Sequence, residues 1–196
     1  MMPTTDIDIR AALHAKKLRI HHDAPETIVI DELGLSHARV RVDVAVINGC
    51  IHGYEIKSGL DTLDRLPAQL QLYTQCLEKL TIVCASRHVT KVEILAPTWS
   101  GIVEATKGSR GGIRFSTVRR TGINTGIEAT QLAHLLWRDE VVALLKRYDV
   151  PAKAMKAPRK ELYRMLAQFM TISEITDAIR KFMVLRPKWR YLPARA

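Results

Sequence analysis

Val40-Arg41-Val42-Asp43-Val44-Ala45-Val46-Ile47-Asn48-Gly49-Cys50-Ile51-His52-Gly53-Tyr54-Glu55-Ile56-Lys57-Ser58 is the stretch whose pattern decides the fold. From Ala38 to Ile47 apolar residues alternate so that Val40, Val42, Val44 and Val46 share one strand face, Asn48-Gly49 signals a hairpin turn, and Ile51 to Ser58 returns as a second strand. Three ionisable residues interrupt this apolar hairpin: Asp43 going out, Glu55 and Lys57 coming back. Aspartate is disfavoured in strands, and burying a carboxylate beside valines costs several kcal/mol unless a cation or hydrogen bonds compensate. A positive group is therefore expected close by.

Glu55 and Lys57 are two apart, so the pleat sends both to one face. Whether Asp43 joins them depends on the turn. A two-residue loop would pair Asp43 with Tyr54 and turn it away from Glu55. An odd loop, such as a three-residue connection with glycine in the left-handed region, or a bulge, brings it diagonal to or directly opposite Glu55, and this is what we predict. Two carboxylates one cross-strand distance apart, with the Ile56 carbonyl between Glu55 and Lys57, are hard oxygen donors suited to Mg²⁺, which takes few protein ligands and keeps several waters. An ion held there can activate a water and neutralise phosphoryl charge, with Lys57 positioning the water or stabilising the developing charge. The structural alternative is a cross-strand ion pair of Asp43 or Glu55 with Lys57 on a solvated face.

Outward from the hairpin, Asp6 or Asp8 caps a first helix to about Leu18, and Thr27 to Ile30 reads as a strand. Leu63, Leu66, Leu70, Tyr73 and Leu77 recur at helical spacing with Pro67 near the first turn, and Leu80 to Ala85 is a short buried strand. Val89 to Leu95 reads as a helix. Gly101 to Ala105 and Ile113 to Val118 flank a turn-rich basic tip, Lys107 to Gly112, and form a second hairpin. From Glu128 onward the pattern is helical, with a break at Val150-Pro151. The composition shift places a boundary near residue 126, giving an α/β unit over 1–126 and a helical unit over 127–196.

The 196 residues carry 30 Lys and Arg against 20 Asp and Glu, net +10. Residues 1–129 hold 16 basic and 14 acidic side chains, whereas 130–196 hold 14 basic and 6 acidic, so the excess lies in the tail. A polyanionic partner is indicated, against the alternative of a solvated helical surface. Three cysteines without a CxxC pair exclude a disulfide framework or a zinc ribbon. No apolar stretch approaches the length of a membrane span, nor has the N-terminus the apolar region of a signal peptide; a cytoplasmic protein without a membrane partner is expected.

Asp43, an eleven-residue gap, then Glu55-Ile56-Lys57 on a hairpin resembles the PD-(D/E)XK nuclease superfamily. His52-Gly53-Tyr54-Glu55-Ile56-Lys57-Ser58 followed by Asp61-Thr62-Leu63 and Arg65-Leu66 is similar to a small uncharacterised bacterial and phage group within it, over roughly residues 26–90. The resemblance implies a restriction-endonuclease-like α/β core with a mixed sheet flanked by helices, and Mg²⁺- or Mn²⁺-dependent cleavage of nucleic acid. It makes Asp43 and Glu55 metal ligands and Lys57 the catalytic lysine. The departure is Val42, where the superfamily name has proline. An upstream acid is common among members, and Glu32 matches it as a further ligand, although Asp31 stands beside it; its other role would be a loop carboxylate paired with Arg39 or Arg41. Gln69 and Tyr73, four apart on one helical face, resemble the QxxxY element of the RecB-like branch and would contact nucleic acid. Tyr73 also lies on the leucine stripe, so a half-buried core tyrosine is the competing reading.

His21-His22-Asp23 and His52 lack a second pair at zinc spacing and read as exposed or hydrogen-bonded imidazoles. Cys84 reads as a small core residue, and Lys107 to Gly112 lacks the P-loop order. Val141 to Met170, two helices around the basic segment Lys153, Lys156, Arg159 and Lys160, resembles a SAP-like DNA-binding module whose cations would lie along phosphates. A helical bundle packed on the core through Trp137, Phe182 and Trp189 is compatible with it. The expectation is thus an Mg²⁺-dependent deoxyribonuclease whose partners are DNA, with RNA left open, and a second copy of the chain. The alternative is a non-catalytic nucleic-acid-binding or assembly module on the same fold.

Overall fold

The computed structural model describes residues 3–186. Six strands form one mixed sheet in sequential order: β1 (Ile28–Leu35), β2 (Val40–Ile47), β3 (Ile51–Lys57), β4 (Lys79–Ala85), β5 (Gly101–Lys107) and β6 (Ile113–Arg119). The hairpins β1–β2, β2–β3 and β5–β6 are antiparallel, while β3, β4 and β5 run parallel. The parallel pairs are joined by crossover helices α3 (Leu66–Cys76) and α4 (Val89–Leu95). The buried side chains of both helices join one apolar cluster, which places them on the same face, as expected where the strand order advances in one direction through two crossovers of the usual right hand.

The other face is covered by α1 (Asp6–Ala12), which continues through a π-helical turn, Leu13–Lys17, into α2 (Arg19–Asp23). Ile9, Leu13 and Leu18 pack there on Val44, Val46, Ile56 and Val83. The N-cap is Thr5, with Asp8 completing a reciprocal capping box, rather than Asp6 or Asp8 acting as the cap themselves. Thr4 Oγ1 accepts from the Gly59 N–H, fastening the start of α1 to the loop that follows β3.

The helices beyond residue 126 are α5 (Ala129–Ala133), α6 (Arg138–Leu145), α7 (Arg159–Phe169) and α8 (Ile172–Leu185). Leu132, Leu136, Leu162, Tyr163, Leu166, Ile175 and Ile179 belong to the same buried cluster as Leu35, Val42, Leu70 and Leu77. The change of pattern near residue 126 thus marks a change of secondary structure, and the helices complete the core of the sheet. Of the three aromatic packing candidates, Phe182 is partly buried against this cluster, Trp137 is 53% exposed with Arg186 over its ring, and Trp189 lies outside the described residues.

The expected face of β2 needs one correction. Val44 and Val46 face α1, whereas Val42, with Val40 against it, belongs to the α3-side cluster. The same switch occurs in β1, where Ile28 and Ile30 and then Leu33 and Leu35 all lie on the α3 side. Register is unaffected, since Asp31 pairs with Val44 and Leu33 with Val42. The switch falls on Glu32, which has a left-handed backbone at φ 55°, a conformation costing a non-glycine residue about 1–3 kcal/mol and concentrated at functional positions.

Candidate active site

The turn between β2 and β3 has three residues, Asn48 to Cys50, with Gly49 at φ +99° supplying the left-handed step. Val44 therefore pairs with Tyr54 and Ile47 with Ile51, and continuing that register sets Asp43 across from Glu55. On the other side Asp43 faces Glu32, between the Asp31–Val44 and Leu33–Val42 pairs. Three acids on three neighbouring strands thus form a row. Gly53 keeps this part of β3 close to its neighbours, because a Cβ there would meet Leu77 Cδ1 at 2.6 Å and Val42 Cγ2 at 3.0 Å.

The row lies in a cleft of about 750 Å³ lined by Glu32, Asp43, Glu55, Ile56, Lys57 and Gln69, with Asp6 and Arg10 from α1 and Arg39, Arg41 and Arg65 around it. It lies at the carboxyl end of the parallel strand β3, an end at which ligands of open α/β sheets bind. The structure brings together Asp43, Glu55, Lys57, Glu32 and Gln69 in this one cleft. Between the two adjacent upstream acids the geometry discriminates: Glu32 faces the cleft, while Asp31 Oδ1 lies 2.9 Å from His14 Nε2.

Glu55 is 1% exposed and both of its oxygens accept hydrogen bonds. Its Oε1 accepts from Lys57 Nζ at 2.6 Å and Gln69 Nε2 at 2.8 Å, and its Oε2 from the Tyr73 hydroxyl at 2.6 Å. Lys57 Nζ also donates to Gln69 Oε1 at 3.1 Å, and Gln69 Nε2 is 3.3 Å from the Tyr73 oxygen. This corrects the expected role of Tyr73. It is 0% exposed and cannot meet a nucleic acid; burial and Glu55 raise its pKa, keeping the phenol protonated as a donor. Gln69, partly exposed, holds Glu55 and Lys57 in place, so the four-residue spacing serves the carboxylate.

Asp43 Oδ2 accepts the Ile56 N–H at 2.6 Å, and Oδ1 accepts from Arg10 Nη2 at 3.1 Å. Burial first, and then the neighbouring charge of Glu55, push the Asp43 pKa up to about 7; the Ile56 bond and Arg10 oppose this without cancelling it. The positive group demanded by a carboxylate among valines is therefore Arg10. Its Nη1 donates to the Asp43 carbonyl at 2.6 Å, its Nη2 reaches Glu32 Oε1 at 2.9 Å, and its Nε donates to Asp6 Oδ1 at 3.1 Å. Arg10 is absent from the residues that sequence reasoning singles out. One signal could have found it: Arg10 follows the buried Ile9 and stands four residues after Asp6, on the flank of the stripe that packs on the sheet.

Among the described residues no group of three or more His, Cys, Asp or Glu side chains stands as a finished metal cage. In the row each acid is drawn to a protein cation instead, Glu32 and Asp43 to Arg10 and Glu55 to Lys57. The donor set nevertheless fits a hard divalent ion. Asp43 and Glu55 are oxygen donors, and because Oδ1 and Oδ2 of Asp43 and Oε2 of Glu55 accept one hydrogen bond each from the groups named above, lone pairs remain. Mg²⁺ asks for only one or two protein carboxylates. The histidines do not fit. His52 is bonded to Thr81 and Tyr54, and burial followed by Lys79 lowers its pKa to about 3. His22 Nε2 meets His14 Nδ1 at 3.0 Å, away from the cleft. Cys84 is buried in β4.

Lys153, Lys156, Arg159 and Lys160 are all exposed, on the connection between α6 and α7 and in the first turn of α7. Among the described residues no helix is long and apolar enough to cross a membrane. No solved structure matches the chain. Protein cII of Enterobacteria phage P4 is 26% identical over 166 residues, which cover 85% of this chain and 60% of that protein. The chain thus spans about 60% of the length of this relative. Residues 5–191, including the acid row, α1 and all the C-terminal helices, match the family described as Bacteriophage P4 protein cII, and the chain belongs to that family.

Proposed function

We propose that the protein is a divalent-metal-dependent deoxyribonuclease of the PD-(D/E)XK type, built on a restriction-endonuclease-like core. The observation that supports this most is the three-residue turn, whose register aligns Asp43 with Glu55 and leaves Lys57 beside them at the floor of an open cleft. Asp43, Glu55 and Glu32, with the Ile56 carbonyl, would hold Mg²⁺, or Mn²⁺ in its place. When bound, the ion would supply an activated water and neutralise charge on the scissile phosphate.

The chain's own residues supply the rest. Tyr73 and Gln69 fix the Glu55 carboxylate, and the Ile56 N–H fixes that of Asp43, so both oxygen donors are preorganised. Lys57 Nζ spends two of its three protons on Glu55 and Gln69; the third is free to hold the attacking water or a non-bridging phosphate oxygen. Arg39, Arg41 and Arg65 give the cleft cations suited to the backbone of a strand. RNA offers the same phosphates and remains the other substrate to assay.

The exposed cations of the C-terminal helices add a second phosphate-binding surface. Arg159 and Lys160 occupy the first turn of α7, where the helix dipole disfavours positive charge, so they do not serve the helix itself. Exchanging Lys153, Lys156, Arg159 and Lys160 for glutamine should reduce the log–log salt slope of duplex binding by about 0.9 for each phosphate that is no longer neutralised. An unchanged slope would return these residues to a solvated surface.

The activity is tested with pure full-length protein on plasmid and linear DNA, with Mg²⁺ or Mn²⁺ and with EDTA. Metal-dependent cleavage is expected, falling by about 10²–10³-fold in Lys57→Ala, the scale of a lost transition-state stabiliser. DNA binding without cleavage of any substrate would favour the non-catalytic module, and cleavage unaltered in Lys57→Ala would overturn the site.

A further inference from the structure

Asp6, Glu32, Asp43 and Glu55 line the cleft floor together with the cations Arg10 and Lys57. The surroundings of Arg10 are unusual. Its Nη2 has three carboxylate oxygens about it: Glu32 Oε1 at 2.9 Å, Asp43 Oδ1 at 3.1 Å and Asp6 Oδ2 at 3.5 Å. A guanidinium Nη carries two protons, so it cannot give each of three acceptors its own bond. The nitrogen thus has more carboxylate oxygens within 3.5 Å than it has protons, the Asp6 contact being the second arm of a fork whose first is Nε to Oδ1 at 3.1 Å. Nη1, in contrast, makes one directed bond, to the Asp43 carbonyl.

We propose that Arg10 stands where a divalent cation shared by Glu32 and Asp43 would stand, so that binding of the ion moves this side chain off the carboxylates and onto a phosphate of the bound strand. The inference rests on the metal-dependent reading of the cleft and adds to it a resident counter-ion and a substrate contact. The exchange needs only side-chain motion. Ile9 and Leu13 anchor the helix on either side of Arg10 at 0% and 1% exposure, and the Thr5–Asp8 capping box and the Thr4–Gly59 bond hold its start.

In the π-helical turn that follows α1, His14 is committed to Asp31 and His22, and Lys16 to the Ile113 carbonyl, so neither takes the place of Arg10. Lys107, from β5, is likewise committed to Asp8. Once released, the planar fork of a guanidinium matches two phosphate oxygens at once, a geometry that lysine lacks. Glu32's left-handed backbone fits the same picture, since it turns that side chain to the Arg10 side of the row.

The test titrates Mn²⁺ calorimetrically into the full chain and into Arg10→Gln and Arg10→Lys, each checked for a cooperative melt in EDTA. The binding of a short DNA duplex is measured in parallel. Removing the competing cation should tighten Mn²⁺ binding by about tenfold or more in Arg10→Gln, with Arg10→Lys between it and wild type, while duplex affinity falls by a similar factor. The opposite signs distinguish exchange from simple damage to the site, which would weaken both. Wild type binding Mn²⁺ as tightly as both variants would overturn the proposal and leave Arg10 a structural counter-ion. Should Arg10→Gln fail to fold, the order of Arg10→Lys and wild type decides. Failure of every form, wild type included, to bind Mn²⁺ would instead remove the metal reading of the cleft, and this inference with it.

Discussion

Asp43→Asn is expected to abolish metal-dependent cleavage while making the apoprotein more heat-stable than wild type at neutral and alkaline pH. The two effects share one cause. Asparagine keeps an oxygen to accept the Ile56 N–H, but it removes a charge that burial and Glu55 oppose. The folded-state pKa of about 7 lies above the ordinary 3.8 of an aspartate. Between those values the native protein holds a proton that the unfolded chain has released, so stability falls as pH rises through this window.

The advantage of Asn over Asp should therefore be absent below about pH 4, grow between about pH 4 and pH 7, and level off above. A tenfold change in proton affinity corresponds to about 1.4 kcal/mol, but Asp43 also forfeits its Arg10 ion pair on substitution, so a net gain on the order of 2 kcal/mol is expected. For a chain of this size that is about 2–4 °C in Tm per kcal/mol. Added Mg²⁺ should reverse the ranking, raising the Tm of wild type by mass action and leaving Asp43→Asn unmoved. Melting curves at several pH values, with EDTA and with Mg²⁺, give the readout. Equal stability of the two proteins across the pH range would show that Asp43 is not charge-strained, and retained cleavage in the variant would remove it from the site.

The second large effect concerns residues 127–186. A fragment ending at residue 126 should not fold cooperatively. It would lack Leu132, Leu136, Leu162, Tyr163, Leu166, Ile175 and Ile179 from the cluster that also contains Leu35, Val42, Leu70 and Leu77. Burial of each such side chain is worth about 1.5–3 kcal/mol, so the loss of all seven, on the order of 10–20 kcal/mol, is as large as the roughly 5–15 kcal/mol by which domains are stable.

The cleft would suffer as well. Ser36, His37 and Ala38, which join β1 to β2, all have left-handed backbones, and His37 is held by ring contacts with His134 and Tyr163 at 4.2 Å and 5.6 Å. Ala38 and Arg39 beyond this turn line the cleft. Circular dichroism and the m-value of urea unfolding would detect the failure, whereas a cooperative transition in the fragment would show that the sheet is self-sufficient. The basic tail is for this reason tested by charge substitution rather than by deletion.

The local chemistry of this chain was legible residue by residue. Alternating valines, Asn48-Gly49 and the leucine stripe with Pro67 are short-range signals, since pleat, turn and helix repeat are set by neighbours in sequence. The demand that Asp43 meet Glu55 even made the turn an odd one. What came only from the tertiary structure depends on distant segments. The side switch shared by β1 and β2 at Glu32 and Asp43 leaves no trace in spacing, because one left-handed residue can alter facing without altering register.

That Tyr73 serves Glu55 and not the substrate, and that the C-terminal helices finish the core, both follow from packing across the sheet. Arg10 is the sharpest case. A sequence containing Asp43 announces that a buried carboxylate needs a cation, but the one that answers lies 33 residues upstream, and electrostatics act through space without regard to order along the chain.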